Sequence, residues 1–111
     1  MNMNYIIDSD GTKTYYNESG QLHRENGPAI EYANGAKSWY KNGKRHREGG
    51  PAVVCGLHNE WWTNGQLHRE EGPAVNAGGI KLWCLNSVIY GNNDDFTNES
   101  WIKFVKTLIF S

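Results

Sequence analysis

The segment His46-Arg47-Glu48-Gly49-Gly50-Pro51-Ala52 recurs almost unchanged from His23 to Ala29 and from His68 to Ala74. The leading histidines of the three copies are separated by 23 and then 22 residues. A fixed period of this length is typical of stacked-repeat architectures, in which each unit buries its apolar face against a neighbour. We therefore expect successive copies of one small structural unit.

Each copy follows an adjacent pair of aromatic residues and a glycine. The pairs are Tyr15-Tyr16, Trp39-Tyr40 and Trp61-Trp62, and the glycines are Gly20, Gly43 and Gly65. A fourth, degraded copy reaches Trp83-Cys84 and then has Asn86-Ser87, without a His-Arg-Glu block after it. Apolar residues make up only 38% of the chain, whereas Trp, Tyr and Phe reach 13%. The aromatic pairs are therefore the predicted core.

The residues between successive blocks have the pattern of β-hairpins. Ile30-Glu31-Tyr32 alternates apolar and polar residues, and the segment from Ser38 to Lys41 lies between Asn34-Gly35 and Asn42-Gly43. Asn-Gly favours the positive φ of tight hairpin turns, since Gly has no Cβ and Asn tolerates this region. We predict about two short strands in each unit. Strand alternation places one aromatic of each pair on the core face and the other on the opposite face.

The segment from Trp39 to His46, with Gly49-Gly50 after it, is similar to the MORN repeat, in which an aromatic precedes Asn-Gly-Lys-x-His-Gly-x-Gly. The Arg-Glu-x-Gly-Pro-Ala block departs from that pattern and resembles a MORN-like variant of bacteriophage and giant-virus proteins. The resemblance spans Tyr15 to about Ser87. It implies a mostly β, MORN-like meander of repeated antiparallel hairpins, followed by a helical tail. It also implies scaffolding or partner binding.

The last segment changes from strand to helical periodicity. Apolar residues recur at i, i+3, i+4, i+7 and i+8, namely Trp101, Phe104, Val105, Leu108 and Ile109. Thr97 is the expected N-cap of this amphipathic helix, and Phe96 is expected to pack on Trp101 as a hydrophobic staple. We predict one domain, with hairpin repeats over 1–91, a loop over 92–96 and a helix over 97–110.

We expect the helix to pack over the open last edge of the sheet, because an uncovered edge offers unpaired strands to other chains. The alternatives are a homodimer contact, a partner's groove or a membrane surface. Only Lys103 and Lys106 lie on its polar side, so attraction to a membrane is expected to be weak.

The repeated histidines do not predict a metal site. If each unit adds two strands about 4.8 Å apart, equivalent histidines are roughly 10 Å apart, whereas a zinc ligand lies about 2 Å from its metal. His58 is out of register with the other three and is expected in an exposed turn. We expect neither a metal nor a cofactor.

A structural role is predicted for the repeated block, because a catalytic Ser or Cys must be placed once against a His and a carboxylate. The block residues are His23, Arg24, Glu25, His46, Arg47, Glu48, His68, Arg69 and Glu70. Each His and Glu is expected to hydrogen-bond turn backbone, and each Arg to pair with a Glu of its own or an adjacent unit. The chain has no Gly-rich phosphate loop and no Cys-x-x-Cys, so we do not expect an enzyme.

The charge balance gives no basic excess, with 11 Lys and Arg against 12 Asp and Glu. Phosphate binding driven by counterion release is therefore not favoured. We interpret the basic cluster from Lys41 to Arg47 as solvated hairpin-edge charges. Neither a secretory signal nor a membrane span is predicted, and the two cysteines are expected to be reduced. We expect a cytoplasmic protein, in the host cytoplasm if it is viral.

The predicted function is non-enzymatic protein binding. The resemblance to phage repeats suggests an inhibitor of a host protein, such as an immunity nuclease or another defence enzyme. The predicted anchors are Tyr40, Lys44, Arg45, Arg47, Trp62 and Trp101, since Tyr, Trp and Arg dominate binding hot spots. One alternative is a structural role in a homodimer. Another is single-stranded nucleic-acid binding, with bases stacked on outward aromatics.

Overall fold

Short antiparallel strands dominate residues 4–109, which are the residues that the computed structural model describes. The predicted class, a mostly β meander of hairpins with one C-terminal helix, is confirmed. The predicted boundaries included positions 1–3 and 110, which lie outside the described residues.

The described residues contain thirteen strands. Those of the large sheet are Asn4–Ile7 (β1), Lys13–Tyr16 (β2), Ile30–Glu31 (β3), Lys37–Ser38 (β4), Val53–Cys55 (β7), His58–Glu60 (β8), Val75–Ala77 (β11), Ile80–Leu85 (β12) and Val88–Asn92 (β13). Two separate hairpins are formed by Tyr40–Lys41 (β5) with Lys44–Arg45 (β6) and by Trp62–Thr63 (β9) with Gln66–Leu67 (β10). The order in the large sheet is β1-β2-β3-β4-β7-β8-β11-β12-β13.

The second and third units each contain four short strands, rather than the two that we predicted. Strands β3 and β4 belong to the large sheet, and the chain then leaves it at Trp39 to form the separate hairpin β5-β6. The oxygen of Tyr40 accepts the backbone N–H of Arg24 from the preceding block at 3.3 Å. The backbone beyond Trp39 thus bonds the neighbouring block instead of the large sheet.

The separate hairpins close with the turns that Asn-Gly predicts. In β5-β6 the turn residues Asn42 and Gly43 have φ values of 49° and 82°. The equivalent residues of β9-β10, Asn64 and Gly65, have φ values of 49° and 80°. Positive φ at both central positions is the geometry of a type I′ turn, which matches the twist of a two-stranded hairpin.

Each large ring that begins an aromatic pair is bonded through its backbone to a buried alanine. The first aromatic of a pair donates its backbone N–H to the last residue of the next block, at 2.7 Å in each case. These bonds join Tyr15 to Ala29, Trp39 to Ala52 and Trp61 to Ala74. The three alanines are 0% exposed, so a larger side chain would have to displace close-packed neighbours. The Ala that ends each block is therefore a packing requirement.

The C-terminal helix, Asn98–Ile109 (α1), follows a short 3-10 turn at Asn93–Asp95. The predicted cap is confirmed, since Thr97 Oγ1 accepts the backbone N–H of Ser100 at 3.1 Å. Ser100 Oγ in turn accepts the backbone N–H of Thr97 at 2.9 Å. The predicted staple is also confirmed, with the rings of Phe96 and Trp101 edge to face and their centroids 4.9 Å apart.

The helix packs on Trp83 of β12, and Trp83, Trp101 and Val105 form a buried core there. It contacts the last strand at Tyr90, whose ring centroid lies 5.5 Å from that of Phe104. Val88 of the same strand is nevertheless 51% exposed. The cover that we predicted over the last edge is therefore incomplete, because the helix follows the large rings rather than the strand edge.

Candidate binding surface

Each repeated histidine joins its own unit to the turn of the next unit. The Nδ1 atom of His46 accepts the backbone N–H of Asn64 at 3.1 Å. The same contact joins His23 to Asn42 at 2.9 Å and His68 to Asn86 at 3.1 Å. The predicted hydrogen bond from each His to turn backbone is confirmed. Since Nδ1 is the acceptor, the proton of the neutral ring lies on Nε2.

The glutamates of the block face their own histidines, and not the turn backbone that we predicted. His23 Nε2 lies 2.9 Å from a carboxylate oxygen of Glu25, and His68 Nε2 lies 3.0 Å from one of Glu70. In the second block the corresponding distance to Glu48 is 3.9 Å. An acceptor at Nε2 fixes the tautomer in which Nδ1 can accept the turn amide. In the first and third blocks the Glu therefore supports the His contact indirectly.

Each block arginine is clamped between a ring and its own loop. The Cζ atom of Arg47 lies 3.9 Å from the ring centroid of Trp39, and Nη1 donates to the oxygen of Pro51 at 3.0 Å. A Cβ added at Gly50 would lie 2.8 Å from Arg47 Cζ, so the guanidinium fills that space. The equivalent contacts are made by Arg24 with Tyr15 and Pro28, and by Arg69 with Trp61 and Pro73.

The prediction that every block Arg pairs with a Glu was wrong for two of the three. Among residues 4–109, Arg24 lies 3.5 Å from Glu31, whereas Arg47 and Arg69 have no carboxylate within 4.0 Å. The aromatic ring and the proline carbonyl bind the guanidinium in all three units. The arginine therefore does not need a carboxylate to hold it in place. Burial lowers the pKa of Arg69, and the charge of Glu71 partly offsets this effect.

The helix takes the place of the missing block in the fourth unit. Gly91 stands 22 residues after Arg69, at the position of the clamped arginine. Trp83 instead contacts Phe96 and Trp101, with ring centroids at 5.6 and 5.7 Å. A Cβ at Gly91 would lie 2.9 Å from the Phe96 ring. Aromatic side chains from the helix region thus replace the guanidinium.

Trp101 was predicted to contact a partner, and this prediction was wrong. The residue is 0% exposed, and its Nε1 donates to the oxygen of Arg69 at 2.8 Å. The sequence pattern placed Trp101 on the apolar face of the helix, and that face packs on the sheet. Its large ring is therefore part of the core.

Three of the other predicted anchors are neighbours. The Arg45 guanidinium lies 5.7 Å from the ring centroid of Tyr40 and 5.2 Å from that of Trp62. All three are half-buried, whereas Lys44 is exposed. Arg47 is not part of this group, because its guanidinium stacks on Trp39. The structure thus brings Tyr40, Arg45 and Trp62 into one cluster.

This cluster is bonded internally through Glu60. Its carboxylate accepts from Trp62 Nε1 at 2.7 Å and contacts His58 Nε2 at 2.5 Å. Burial raises the pKa of Glu60, but the hydrogen bonds from His58 and Trp62 outweigh burial and lower it below its ordinary value. The Trp62 indole N–H and the Glu60 carboxylate are thus already bonded to each other or to His58, so they offer few bonds to a partner.

A groove of about 450 Å³ lies between the helix and the last hairpin, and we call it the helix groove. It is lined by Leu85, Val88, Tyr90, Val105 and Leu108, together with the polar residues His68, Glu70 and Asn86. Sequence reasoning missed this surface. A signal was present, since Val88 stands at the exposed strand position that Lys44 and Gln66 fill with polar side chains in the earlier units.

A second cavity, of about 230 Å³, lies between the first and second blocks, and we call it the loop cleft. Its lining includes Arg24, Glu25, Trp39, Tyr40, Lys41 and Arg47. Glu25 forms an ion pair with Lys41 at 3.8 Å. The loop cleft is thus lined mainly by polar and charged residues, whereas aliphatic and aromatic residues form most of the lining of the helix groove.

Cys84 does not have the surroundings of an activated nucleophile. Cys84 is buried, and burial raises the pKa of its thiol, which disfavours the reactive thiolate. Cys55 is an exposed thiol. Within residues 4–109, no group of three His, Cys, Asp or Glu side chains is placed to hold a metal ion. No helix in the same residues is long and apolar enough to cross a membrane.

In comparisons with known proteins, no family model, no curated protein and no solved structure matches this chain. The functional assignment therefore depends on the two surfaces described above.

Proposed function

We propose that the protein is a non-enzymatic module that binds a partner protein through the helix groove. The observation that carries this proposal is the exposure of large apolar side chains along it. Val88 is 51% exposed, Tyr90 41% and Leu108 39%. A contiguous apolar surface of this kind is typical of an interaction site, whereas single exposed apolar residues are not.

The shape of the helix groove fits an apolar segment of the partner. Val105 and Leu108 are one helical turn apart and form one wall, and Leu85, Val88 and Tyr90 form the other. The volume lies in the range of about 300–1,000 Å³ that is usual for binding pockets. Two or three aliphatic or aromatic side chains fill such a space. Their burial stabilises a complex by about 25 cal/mol for each Å² of apolar surface removed from water.

The repeated blocks are the scaffold in this proposal. Their histidines bond the turns of the next units, and their arginines stack on rings of the same protein. These side chains hold the units together, so we assign them no catalytic role. The same stacking covers rings that a single-stranded nucleic acid would need for its bases, so we do not propose nucleic-acid binding.

The resemblance to MORN-like repeats of phage proteins supports a narrower form of the proposal. In that form the partner is a host protein, such as a nuclease or another enzyme of immunity, and binding blocks its activity in the host cytoplasm. This form rests on the repeat pattern from Tyr15 to about Ser87, and the helix groove supplies the contact surface.

The test is parallel capture from a bacterial lysate with the tagged wild-type protein and two variants. Val88→Asp places a charge in the helix groove at an exposed position, so folding is retained. Leu57→Asp is the matched control, because Leu57 is 82% exposed and does not line the groove. One stoichiometric protein retained at high salt by wild type and Leu57→Asp, and lost with Val88→Asp, is expected. Retention by the wild type and by both variants would contradict the proposal.

A second candidate function, assembly of identical chains, is favoured by the other end of the sheet. Strand β1 is the first strand in the sheet order, and Ile6 and Ile7 on it are 56% and 60% exposed. An exposed apolar edge strand can pair with the same strand of another copy. Light scattering should then give twice the monomer mass for wild type and the monomer mass for Ile6→Lys. A monomeric wild type at high concentration would exclude this candidate.

A further inference from the structure

The protein buries one of its own tryptophans against a repeated block, and the loop cleft lies at the equivalent place beside another block. Arg69 donates its backbone N–H to the oxygen of Cys84 in the next unit at 3.1 Å. On the same residue, the carbonyl oxygen accepts Trp101 Nε1 at 2.8 Å. The ring of Trp101 lies beside Trp83, with centroids 5.7 Å apart.

The first block is anchored to the second unit in the same way. Arg24 donates its backbone N–H to the oxygen of Tyr40 at 3.3 Å, which is the repeat-equivalent of the bond from Arg69 to Cys84. The backbone of Arg24 is therefore attached to the second unit as that of Arg69 is attached to the fourth. Within residues 4–109, no group donates a hydrogen bond to the Arg24 oxygen. The loop cleft, of about 230 Å³, opens at this point.

We propose that the loop cleft binds a tryptophan side chain of a partner protein, with the indole N–H donating to the carbonyl oxygen of Arg24. The indole would lie against Arg47, whose guanidinium lines the cleft and stacks on Trp39. The volume of the cleft suits one side chain rather than a larger ligand, since pockets for drug-sized ligands span about 300–1,000 Å³.

The charges of the cleft favour an aromatic occupant. Lys41 and Arg47 line the cleft together with Glu25 and Glu48, and cations attract the negative face of an aromatic ring. An indole combines such a face with an N–H donor for the Arg24 oxygen. A phenyl side chain has the face without the donor, and an aliphatic side chain has neither. We infer tryptophan, because this side chain repeats the bond of Trp101 Nε1 to the Arg69 oxygen within the protein.

This inference deepens the proposed function by adding a second contact for the partner, outside the helix groove. Its test does not require the partner. N-acetyltryptophanamide is the probe, and the full-length, isotope-labelled protein is observed by NMR. The two sites are distinguished by the signals that move, which are the amides of Arg24 and Glu25 and the Trp39 indole for the loop cleft, and those of Tyr90 and Val105 for the helix groove.

We expect the NMR signals of the loop cleft to shift until the site is saturated, with half-saturation at a roughly millimolar concentration of the probe. This is the affinity expected for one side chain that makes no further contacts. The probe with a methyl group on the indole nitrogen cannot donate, and its affinity is expected to be about fivefold lower, the effect of one hydrogen bond. Equal affinity for both probes would overturn the proposal. The proposal would also be overturned if only the signals of the helix groove shifted. The same holds if no signal shifted at a tenfold higher probe concentration.

A pair of charge variants tests the site on the protein side. Lys41→Glu reverses an exposed charge in the cleft lining, whereas Lys44→Glu reverses an exposed charge of the same hairpin outside that lining. Weaker probe binding is expected for Lys41→Glu alone, and equal weakening in both variants would contradict the site. Failure of these tests leaves the capture experiment on the helix groove unaffected, so the two proposals fail separately.

Discussion

His46 Nδ1 accepts the backbone N–H of Asn64, eighteen residues further along the chain, at 3.1 Å. Asn64 has a φ of 49° in the turn of the next unit, so the bond stabilises a turn amide from outside its own hairpin. Two other blocks make the same contact. The spacing of the repeat therefore has a physical cause, since each His must reach the turn of the following unit.

His46→Ala is expected to lower the free energy of unfolding by about 1 kcal/mol, because the turn amide loses its acceptor. Urea denaturation should show a lower midpoint with an unchanged slope. Hydrogen exchange of the Asn64 amide should become faster. The Asn42 amide, bound to His23 at 2.9 Å, is the internal control and should exchange as in wild type. An unchanged Asn64 rate would show that the contact contributes nothing.

Gly50→Ala is expected to destabilise the protein, because its new Cβ would lie 2.8 Å from Arg47 Cζ and displace the clamped guanidinium. We expect a cost of about 1–3 kcal/mol, as for overpacking at other close contacts. In the background of Arg47→Ala the same change should cost much less, since the clashing group is absent. A double-mutant cycle from denaturation measures this coupling. Additive costs in the cycle would disprove the clamp.

Local sequence signals predicted much of the fold. The Asn-Gly turns at Asn42 and Asn64 and the cap at Thr97 depend on residues close in sequence, and the structure confirms them. The contact from each His to turn backbone followed from the repetition of the block. The groups that each block arginine contacts were less predictable. Arg47 stacks on Trp39 because strand pairing makes these two residues neighbours, and no local sequence pattern encodes that contact.

The binding surface was harder to predict than the fold. The helix groove exists because β13 continues the sheet while the helix packs on Trp83, and both depend on the missing fourth block. The apolar stripe of the helix indicated burial without identifying what covers it. Trp101 was accordingly assigned to a partner, although its indole bonds Arg69 within the chain.

Trp101→Phe is expected to reduce stability by about 1–2 kcal/mol, through the lost hydrogen bond to Arg69 and the space left beside Trp83. Thermal unfolding of this variant can be compared with Lys103→Ala, an exposed position on the same helix. The control should unfold as wild type does. Equal melting temperatures for Trp101→Phe and wild type would contradict the core assignment.

The lowered pKa of Glu60 predicts a pH-dependent contribution to stability. A carboxyl whose pKa is lower in the folded state stabilises the protein above its unfolded pKa, and this contribution is lost as the pH falls through the folded pKa. Between about pH 6 and pH 3, wild type should therefore lose more stability than Glu60→Gln. Chemical denaturation at several pH values measures both curves. Parallel curves would mean that the bonds from His58 and Trp62 do not lower this pKa.

The separate roles of the repeated blocks, which hold the fold, and of the helix groove, proposed to bind the partner, are tested most directly in His46→Ala and Val88→Asp. Stability and partner retention are measured together for both variants. We predict that His46→Ala melts at a lower temperature than wild type and still retains the captured protein in proportion to its folded fraction. Val88→Asp should melt at the wild-type temperature and lose the captured protein. An unchanged melting curve with lost partner in His46→Ala, together with full retention by Val88→Asp, would contradict the account.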